Sequence, residues 1–492
     1  MGTASGGSEG QSGLVKSFLD FFYGNFVVLL LGFIQTPILT RLLGRADFGK
    51  TGMFEIAVTI IYIFSILGMD QSYIRYYYRE GVSRRNLLFS CLLPALGIVS
   101  VLSVVYVFFS GQANVFLFGE TGTDITLLVI AYTMISVLER YFFLDVRMQQ
   151  NGKLYSNVNI AQKVLSILII IGAWHVFGDN FRVGLYAMTL SWGGTTFFLI
   201  IRYLKQGRAG EEEGRTKRVP EMELIRYGLP FIAVLLMEWL LSSADRFALR
   251  LWSSFEELGL YTSAMRIIVL LLTVKNTFVA YWSPIAMERF ETRDIEENRP
   301  FFQRIYGTVQ ILCVFLSSGL IVTRRAVVLI LGKDYRGAES MIPFLTLMPV
   351  FAILFEITNQ SIKFSKKNWY LNAASLFTIL CNVAGNALLV PKLGGLGAAA
   401  ATGCSYLIYF MIGTLAGERC IPVGYPVKKT FFLALVMTAY CAEASFYGAW
   451  ILDLLGGILL CFTACLMNRD AAKGMIEYGK KFIRSGKKKK TE

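Results

Sequence analysis

The feature that most constrains this chain is a series of about fourteen apolar stretches of roughly 20 residues, the length of a helix that crosses the hydrocarbon core of a bilayer. Their centres lie near residues 29, 59, 98, 134, 168, 193, 237, 271, 313, 348, 380, 405, 439 and 458. The stretches are continuous rather than alternating in polarity, which indicates helices and argues against the strands of a membrane β-barrel. We therefore predict an all-α, polytopic membrane protein.

Bulk composition points to the same environment. Hydrophobic residues make up 55% of the 492 residues and charged residues 17%, and the mean hydropathy is +0.53. A soluble globule has too little interior to bury so much apolar surface. The first residues, MGTASGGSEGQSG, are small and polar and lack the regions of a signal peptide, so we expect a disordered cytoplasmic leader over 1–13.

The net charge of +14 is distributed unevenly along the chain. If successive connections alternate between the two sides, most of the 48 Lys and Arg lie on the side of the two termini, which the positive-inside rule assigns to the cytoplasm. The basic tail KKFIRSGKKKK beside a membrane is typical of contact with anionic lipid headgroups, so we expect membrane lipids and no nucleic acid as partners. The outer segment from Arg324 to Arg336 is the main exception to the charge rule.

Several kinds of chemistry lack the residues that they need. The eight cysteines are scattered through the apolar stretches without metal-ligand spacing, and His175 is the single histidine. We therefore expect no catalytic residues, no metal site and no cofactor. The glycine-rich run GGLGAAAATG, 394–403, lacks the Gly-Lys-Ser/Thr of a phosphate loop, so we attribute it to close helix packing and do not expect ATP to drive the protein.

The first polar break, TRLLGRADFG at 40–49, has a counterpart in the second half of the chain. It is typical of a helix hairpin at the outer surface, in which Gly44 would close the first helix in a left-handed conformation and Asp47 would cap the second. The segment DRFALRLWSSFEELG, 245–259, repeats the order of basic residues, acidic residues and glycine. Six spans precede the longest polar stretch, and an even number predicts a parallel repeat of two lobes.

These boundaries give the predicted domain organisation. It consists of a leader at 1–13, an N-lobe of six spans at 14–204, a cytoplasmic linker at 205–223, a C-lobe of six spans at 224–418, two further spans at 419–468 and a basic cytoplasmic tail at 469–492.

Basic residues inside predicted spans are the main candidates for function. On insertion scales each costs about 2.5–3.5 kcal/mol at mid-bilayer, so they must border water, a partner or an interface. The four are Arg140, Lys163, Arg266 and Lys275.

The eighth span carries the sharpest pattern, because Arg266 shares one helical face with three threonines, Thr262, Thr273 and Thr277. Such a stripe predicts the lining of a hydrated, cationic cavity. Pairing with a neighbouring helix is the alternative for Arg266, and for Lys275 snorkelling or pairing is the alternative. Arg140 lies beside Glu139, so an interfacial pair is equally compatible with its position, and Lys163 remains open between the two roles.

Acidic and amide residues supply a second group of candidates. Glu238 lies in the middle of the seventh span on the same face as Asp245, which predicts a proton or sodium site; a counter-ion role toward Arg266 is the alternative. Asn25 in the first span, and Asn382 and Asn386 in the eleventh, are candidates for polar cavity lining, with interhelical hydrogen bonding as the alternative.

Several motifs, in their order, carry a family resemblance. TRLLGRADFG, YGLPF, DRFAL with ELGLY, GKDYRGAE at 332–339 and NALLVPKLGGLGAAAAT at 386–402 resemble bacterial polysaccharide exporters, the Wzx-type flippases of the multidrug/oligosaccharidyl-lipid/polysaccharide (MOP) superfamily. The resemblance implies two six-helix lobes around a cavity and transport of an undecaprenyl-diphosphate-linked oligosaccharide from the inner to the outer leaflet. It also implies the polysaccharide polymerase machinery as a partner.

We therefore expect a flippase that works by alternating access in the bacterial cytoplasmic membrane, with both termini in the cytoplasm. Its cationic cavity would attract the diphosphate, and H⁺ or Na⁺ would be the coupling ion. A lipid II or spore-cortex flippase and a drug or cation antiporter of the same fold are the alternatives, although the first span lacks the deep basic residues expected of the lipid II branch. A membrane polymerase or ligase would need a long outer loop, and the predicted outer loops are short.

Overall fold

The computed structural model describes residues 26–207 and 217–477. Nearly all of them are helical. The helices are α1 (Phe26–Leu42), α2 (Arg45–Ile66), α3 (Met69–Tyr76), α4 (Arg84–Phe118), α5 (Thr123–Met148), α6 (Gly152–Phe177), α7 (Arg182–Gly207), α8 (Glu221–Trp252), α9 (Phe255–Thr292), α10 (Ile295–Val328), a 3₁₀ helix (Lys333–Ser340), α11 (Ile342–Thr358), α12 (Gln360–Phe364), α13 (Trp369–Cys420), α14 (Val427–Phe446), α15 (Trp450–Met467) and α16 (469–477).

The predicted spans all fall on these helices. Within the described residues, 11 helices are long and apolar enough to cross a membrane. The longest, α13, is interrupted at Gly394, which has φ +55° and ψ −131°, so its 52 residues provide the two spans predicted near 380 and 405. The prediction of an all-α, polytopic membrane protein is confirmed.

The chain forms two compact units that divide between Ser243 and Ala244, inside α8. The first part of α8 therefore belongs to the N-terminal unit and its last turns belong to the C-terminal unit. The predicted boundary between the lobes is the polar stretch at 205–223. Residues 208–216 of this stretch lie outside the described part of the chain.

The N-terminal unit is built around apolar side chains of α3, α4 and α5. Met69, Leu88, Ala95, Val137 and Tyr141 are all fully buried in this core. By contrast, most of α4 lies at the surface of the unit, because only 17% of the residues in its apolar segment are buried. A helix with one buried side and one apolar exposed side fits a position at the lipid boundary of a membrane protein.

The C-terminal unit has a central helix. In α11, 94% of the apolar window is buried, and the helix packs against α9, α10, α13 and α14. A helix that is apolar on all sides is stable only when it is surrounded, which explains its place at the centre.

The hairpin TRLLGRADFG differs in detail from its prediction. Gly44 precedes α2 in an extended conformation, φ −64° and ψ 160°, so the expected left-handed closure is wrong. The reason is a contact distant in sequence: the Gly44 N–H donates to Asp179 Oδ1 at 2.8 Å, and Asp179 lies between α6 and α7. Asp47, in the first turn of α2, accepts a hydrogen bond from the backbone of Phe181 in the same connection.

The C-terminal unit contains a matching bond. The Gly395 N–H donates to Glu257 Oε2 at 2.8 Å. Glu257 follows the connection between α8 and α9, and Gly395 follows the break in α13. In terms of the predicted lobes, each bond therefore joins the connection between the first and second spans of a lobe to the connection between its fifth and sixth spans, but the glycine and the carboxylate have exchanged places.

Arg324 belongs to the predicted outer segment that is the main exception to the positive-inside rule, and its surroundings explain its position. Arg324 is only 2% exposed and its guanidinium lies 2.8 Å from the carboxylate of Asp453 on α15. The same guanidinium donates to the carbonyl of Ala444 on α14 at 2.8 Å. Arg324 is thus an interior residue of the C-terminal unit that attaches the last two spans to α10.

Candidate ion and headgroup sites

A cluster of polar side chains is buried among the spans of the C-terminal unit. Asp245 of α8 is 2% exposed and accepts hydrogen bonds from the hydroxyl of Tyr261 on α9 and from Asn386 Nδ2, at 3.1 Å, on α13. Asn386 Nδ2 also lies 3.0 Å from Asn382 Oδ1, and Asn382 Nδ2 lies 3.4 Å from Thr402 Oγ1. We call these five residues the Asp245 cluster.

The break in α13 assembles this cluster. Asn382 and Asn386 are one turn apart on its first half, and Thr402 lies on its second half. The two halves pack closely: a Cβ at Gly385 would lie 3.1 Å from the Cβ of Ala401. A Cβ at Gly403 would lie 2.3 Å from the carbonyl oxygen of Phe344 on α11. The glycine-rich run therefore serves close helix packing, as predicted.

The Asp245 cluster has the composition of a cation or proton site. Among the described residues Asp245 has no ion-pair partner, and Asn386 Oδ1 is buried without a hydrogen-bond partner. A buried carboxylate that is held only by neutral donors carries a large desolvation cost. Carboxylate, amide and hydroxyl oxygens are ligands that suit hard cations, and a proton on the carboxylate would remove the cost equally well.

In the N-terminal unit, the buried carboxylate of Asp70 has a charged partner instead. Asp70 of α3 is 1% exposed, and its Oδ2 accepts hydrogen bonds from Arg140 of α5, through Nε at 3.1 Å and through Nη2. Arg140 itself remains 35% exposed. Its sequence neighbour Glu139 is part-buried and has no hydrogen bond or ion pair to any described residue.

Lys163 of the same unit lies in a polar group between α1 and α6. Its ammonium is 3.4 Å from Gln35 Oε1, and Gln35 Nε2 donates to Ser166 Oγ at 3.0 Å. Lys163 and Gln35 are part-buried.

The predicted stripe on α9 divides between the interior and the surface. Arg266 and Thr277 are exposed and Thr273 is part-buried, whereas Thr262 is 2% exposed. The hydroxyl of Thr262 has no hydrogen-bond partner within the described part of the chain, and Thr273 and Thr277 donate to carbonyl oxygens one turn earlier in α9.

Lys275, further along α9, belongs to a charged group at α11. Its ammonium lies 3.6 Å from Glu356 Oε1, and Lys363 approaches Glu356 Oε2 at 3.2 Å. Asn359 donates to the same oxygen at 3.0 Å. The pairing that was the alternative for Lys275 is therefore present.

The structure brings together three of the candidate residues, Asp245, Asn382 and Asn386. Arg140, Lys163 and Lys275 each contact other partners, Glu238 is exposed on α8, and Asn25 lies outside the described residues.

Five partners escaped the sequence analysis: Asp70, Gln35, Glu356, Tyr261 and Thr402. Asp70, Glu356 and Gln35 were visible as polar residues within or beside apolar stretches; Tyr261 and Thr402 are common helix residues without any distinguishing signal.

The fold defines the class of protein. It is similar to that of the structure "Lipid II flippase MurJ, inward closed conformation", with a TM-score of 0.65 and 14% identity over 92% of this chain and 99% of that one. It is also similar to an inward-facing multidrug resistance MATE family transporter of the MOP superfamily, with a TM-score of 0.61 and 15% identity over 82% of this chain and 96% of that one. The protein thus shares its all-helical, multi-pass membrane fold with these two transporters.

The family follows from the sequence. Residues 14–288, more than half of the chain, match the model of the family described as "Polysaccharide biosynthesis protein". The chain belongs to this family, and the expected resemblance to proteins of polysaccharide biosynthesis is confirmed. A search among curated proteins gave no match.

Proposed function

We propose that this protein is a flippase that moves an undecaprenyl-diphosphate-linked oligosaccharide from the cytoplasmic to the outer leaflet by alternating access, for export of a cell-surface polysaccharide. It would act in the bacterial cytoplasmic membrane with both termini in the cytoplasm. The transport makes and breaks no covalent bond, so the residues that matter are those that lower the cost of carrying a charged headgroup through hydrocarbon.

The observation that carries the proposal is the accessibility of the cations in the membrane-spanning helices. Arg140 and Lys275 are 35% and 26% exposed, Lys163 is part-buried and Arg266 is exposed. Lipid would make each of these positions costly, whereas a hydrated chamber would stabilise them and would attract a diphosphate. Membership of the family of polysaccharide biosynthesis proteins supports an oligosaccharide as the cargo.

The Asp245 cluster is the proposed site of ion coupling. A sodium ion or a proton bound at Asp245 would neutralise the buried carboxylate and would favour one of two conformations of the transporter. Glu238, seven residues earlier on α8, is exposed and remains a second candidate for a protonatable group.

The test uses polysaccharide export by cells that carry variants of Arg266. Arg266→Glu should reduce export at least about tenfold, because reversing one charge beside a diphosphate costs more than about 1.4 kcal/mol. Arg266→Lys should retain most of the export. Arg293→Glu is the matched control, since Arg293 ends the same helix in an exposed pair with Glu297. Undiminished export by Arg266→Glu at normal protein level would refute the role of this residue.

The cargo is tested by locating the precursor. Cells that lack the protein should accumulate unpolymerised lipid-linked oligosaccharide on the cytoplasmic leaflet. Accumulation of lipid II instead would favour the lipid II flippase, an alternative that the similarity to MurJ supports.

A drug or cation antiporter is the second alternative, supported by the similarity to the MATE transporter and by the Asp245 cluster. It predicts ion-dependent efflux of a cationic dye from proteoliposomes. A flippase specific for an anionic headgroup should leave that dye in place.

A further inference from the structure

The pair of Arg140 and Asp70 has properties that a purely structural ion pair does not need. Both interacting nitrogens of Arg140 contact the same oxygen of Asp70, Oδ2, which also accepts a hydrogen bond from Gln71 Nε2 at 3.0 Å. The other carboxylate oxygen, Oδ1, is buried and has no hydrogen-bond partner among the described residues. A carboxylate with one crowded oxygen and one unsatisfied, buried oxygen is well suited to carry a proton on the second.

The guanidinium of Arg140 has capacity for a second anion. Its Nε and Nη2 face Asp70, while Nη1 makes no hydrogen bond to any described residue and the side chain is 35% exposed. A guanidinium has five donors, and one such fork binds carboxylate and phosphate oxygens equally well. Asp70 and a phosphate group would therefore compete for the charge of Arg140.

The charges around Arg140 influence whether it binds Asp70 or a phosphate group. Glu139 adjoins Arg140 but has no hydrogen bond or ion pair within the described part of the chain, so the charge that matches the guanidinium in the structure is that of ionised Asp70. Tyr62 of α2, Cys91 of α4 and Tyr141 of α5 are titratable groups that also lie close to Asp70. None of these three is cationic, and Arg140 is the ion-pair partner that the structure gives Asp70, so protonation of Asp70 would leave the guanidinium charge without this partner.

We propose that Asp70 is a proton switch for headgroup binding in the N-terminal unit. Ionised Asp70 holds Arg140; when Asp70 Oδ1 accepts a proton from hydronium, the ion pair is lost and Arg140 becomes available to the diphosphate of the cargo. The inference rests on the proposed function. It places a protonatable positioning residue in the N-terminal unit, which does not contain the Asp245 cluster, and it assigns to Arg140 a second partner besides the one that the structure contains.

The experiment measures the affinity of the purified full-length protein for farnesyl diphosphate, a short lipid diphosphate, over a pH series. The wild-type affinity should rise as pH falls. Asp70→Asn removes the competing charge and should bind about tenfold more tightly than the wild type at high pH, with the difference vanishing at low pH. The protonation of the ligand itself is common to both proteins and cancels in this comparison.

Two further variants separate the switch from simple damage. Asp145→Asn is the matched control, because Asp145 is a buried carboxylate of α5 that bonds to Tyr73 and Gln149 instead of an arginine. It should keep the wild-type pH profile. Arg140→Gln should lose binding at every pH.

Proton uptake provides a second readout that does not depend on Asp70→Asn folding. In weakly buffered solution, wild-type protein should take up more protons on binding farnesyl diphosphate than the ligand alone accounts for, and Arg140→Lys should show the same sign. A wild-type pH profile in Asp70→Asn, binding by Arg140→Gln at wild-type strength, or no excess uptake would overturn the switch while leaving the flippase proposal in place. Wild-type protein that binds no farnesyl diphosphate at any pH would overturn both.

Discussion

Two buried carboxylates, Asp70 of the N-terminal unit and Asp245 of the C-terminal unit, are compensated in opposite ways. In the N-terminal unit Asp70, 1% exposed, is compensated by Arg140. In the C-terminal unit Asp245, 2% exposed, is held by Tyr261 and Asn386, which are neutral donors, and has no ion pair within the described residues. Asp70 thus has a counter-charge within the protein, whereas Asp245 has the donor set of a site that would take a counter-charge from solution.

The C-terminal unit shows that this difference is local and not a property of a whole unit. Asp453, in the same unit as Asp245, is 1% exposed and is paired with Arg324. The chain therefore has the means to neutralise a buried carboxylate in this unit, and the neutral surroundings of Asp245 are a feature of that site. A site that binds a proton or a cation from solution needs a buried carboxylate without a permanent positively charged partner.

The largest expected effect comes from removing the cation of the fully buried pair. Arg324→Met should lower the free energy of unfolding by about 3–5 kcal/mol, because it leaves the charge of Asp453 buried and uncompensated. The measurement is thermal unfolding of the purified protein in detergent. Arg293→Met, at an exposed pair with Glu297, is the control and should cost less than about 1 kcal/mol. Equal losses for the two variants would mean that burial does not govern the strength of these pairs.

Asp245→Asn should abolish the response of stability to the coupling ion. If the ion binds only the folded protein, a concentration of about 100 times Kd stabilises the wild type by about 2.7 kcal/mol. Unfolding is followed in NaCl and in KCl at equal ionic strength and at two pH values, so that a sodium site and a proton site are distinguished. A variant that keeps both the sodium and the pH response would contradict the assignment of Asp245.

Glu356→Gln should have a smaller effect, about 1 kcal/mol of destabilisation. The substitution leaves Lys275 and Lys363 near each other without their shared carboxylate, but both lysines are partly exposed, at 26% and 33%, and water compensates part of the loss. Thermal unfolding at low and high salt provides the check. The difference from the wild type should shrink at high salt, and a salt-independent loss would indicate a packing defect instead.

The smallest effect concerns Glu120, in the connection between α4 and α5. Burial raises the pKa of Glu120, but hydrogen bonds from Lys50 and Arg182 outweigh it, so the pKa lies below its usual range. A lowered folded-state pKa contributes stability that is present above the unfolded pKa and is lost as pH falls through the folded value. Because Glu120 is 36% exposed, the contribution should be under about 1 kcal/mol.

A pH series of unfolding measurements on the wild type and on Glu120→Gln tests this. The two proteins should differ near neutral pH and should converge in acid. A difference that grows as pH falls would show that the sign is wrong.

The sequence predicts the helices well because each is a long apolar segment that is independent of its neighbours. It also identifies Asp245, Asn382 and Asn386, since polar residues are conspicuous within apolar spans. It does not identify Tyr261 or Thr402, because their participation depends on how α9 and the second half of α13 pack.

The partners in ion pairs and hydrogen bonds are harder to predict, because they also depend on how distant helices pack. An interfacial pair with Glu139 is one interpretation of Arg140 from the sequence. Adjacent residues, however, point about 100° apart on a helix and do not face each other. Asp70, 70 residues away, pairs with Arg140 instead. The predicted conformation of Gly44 was wrong for a similar reason. Its N–H donates to Asp179, which lies on a connection that is distant in sequence.

Reconstituted transport tests the central claim most directly. Liposomes that contain a lipid-diphosphate-linked oligosaccharide, with and without the purified protein, are assayed for the rate at which the labelled glycan becomes accessible to an added glycosidase. The account predicts that wild-type protein and Arg293→Glu accelerate this exchange and that Arg266→Glu does not. An exchange rate with wild-type protein equal to that of protein-free liposomes, under both sodium and proton gradients, would contradict it.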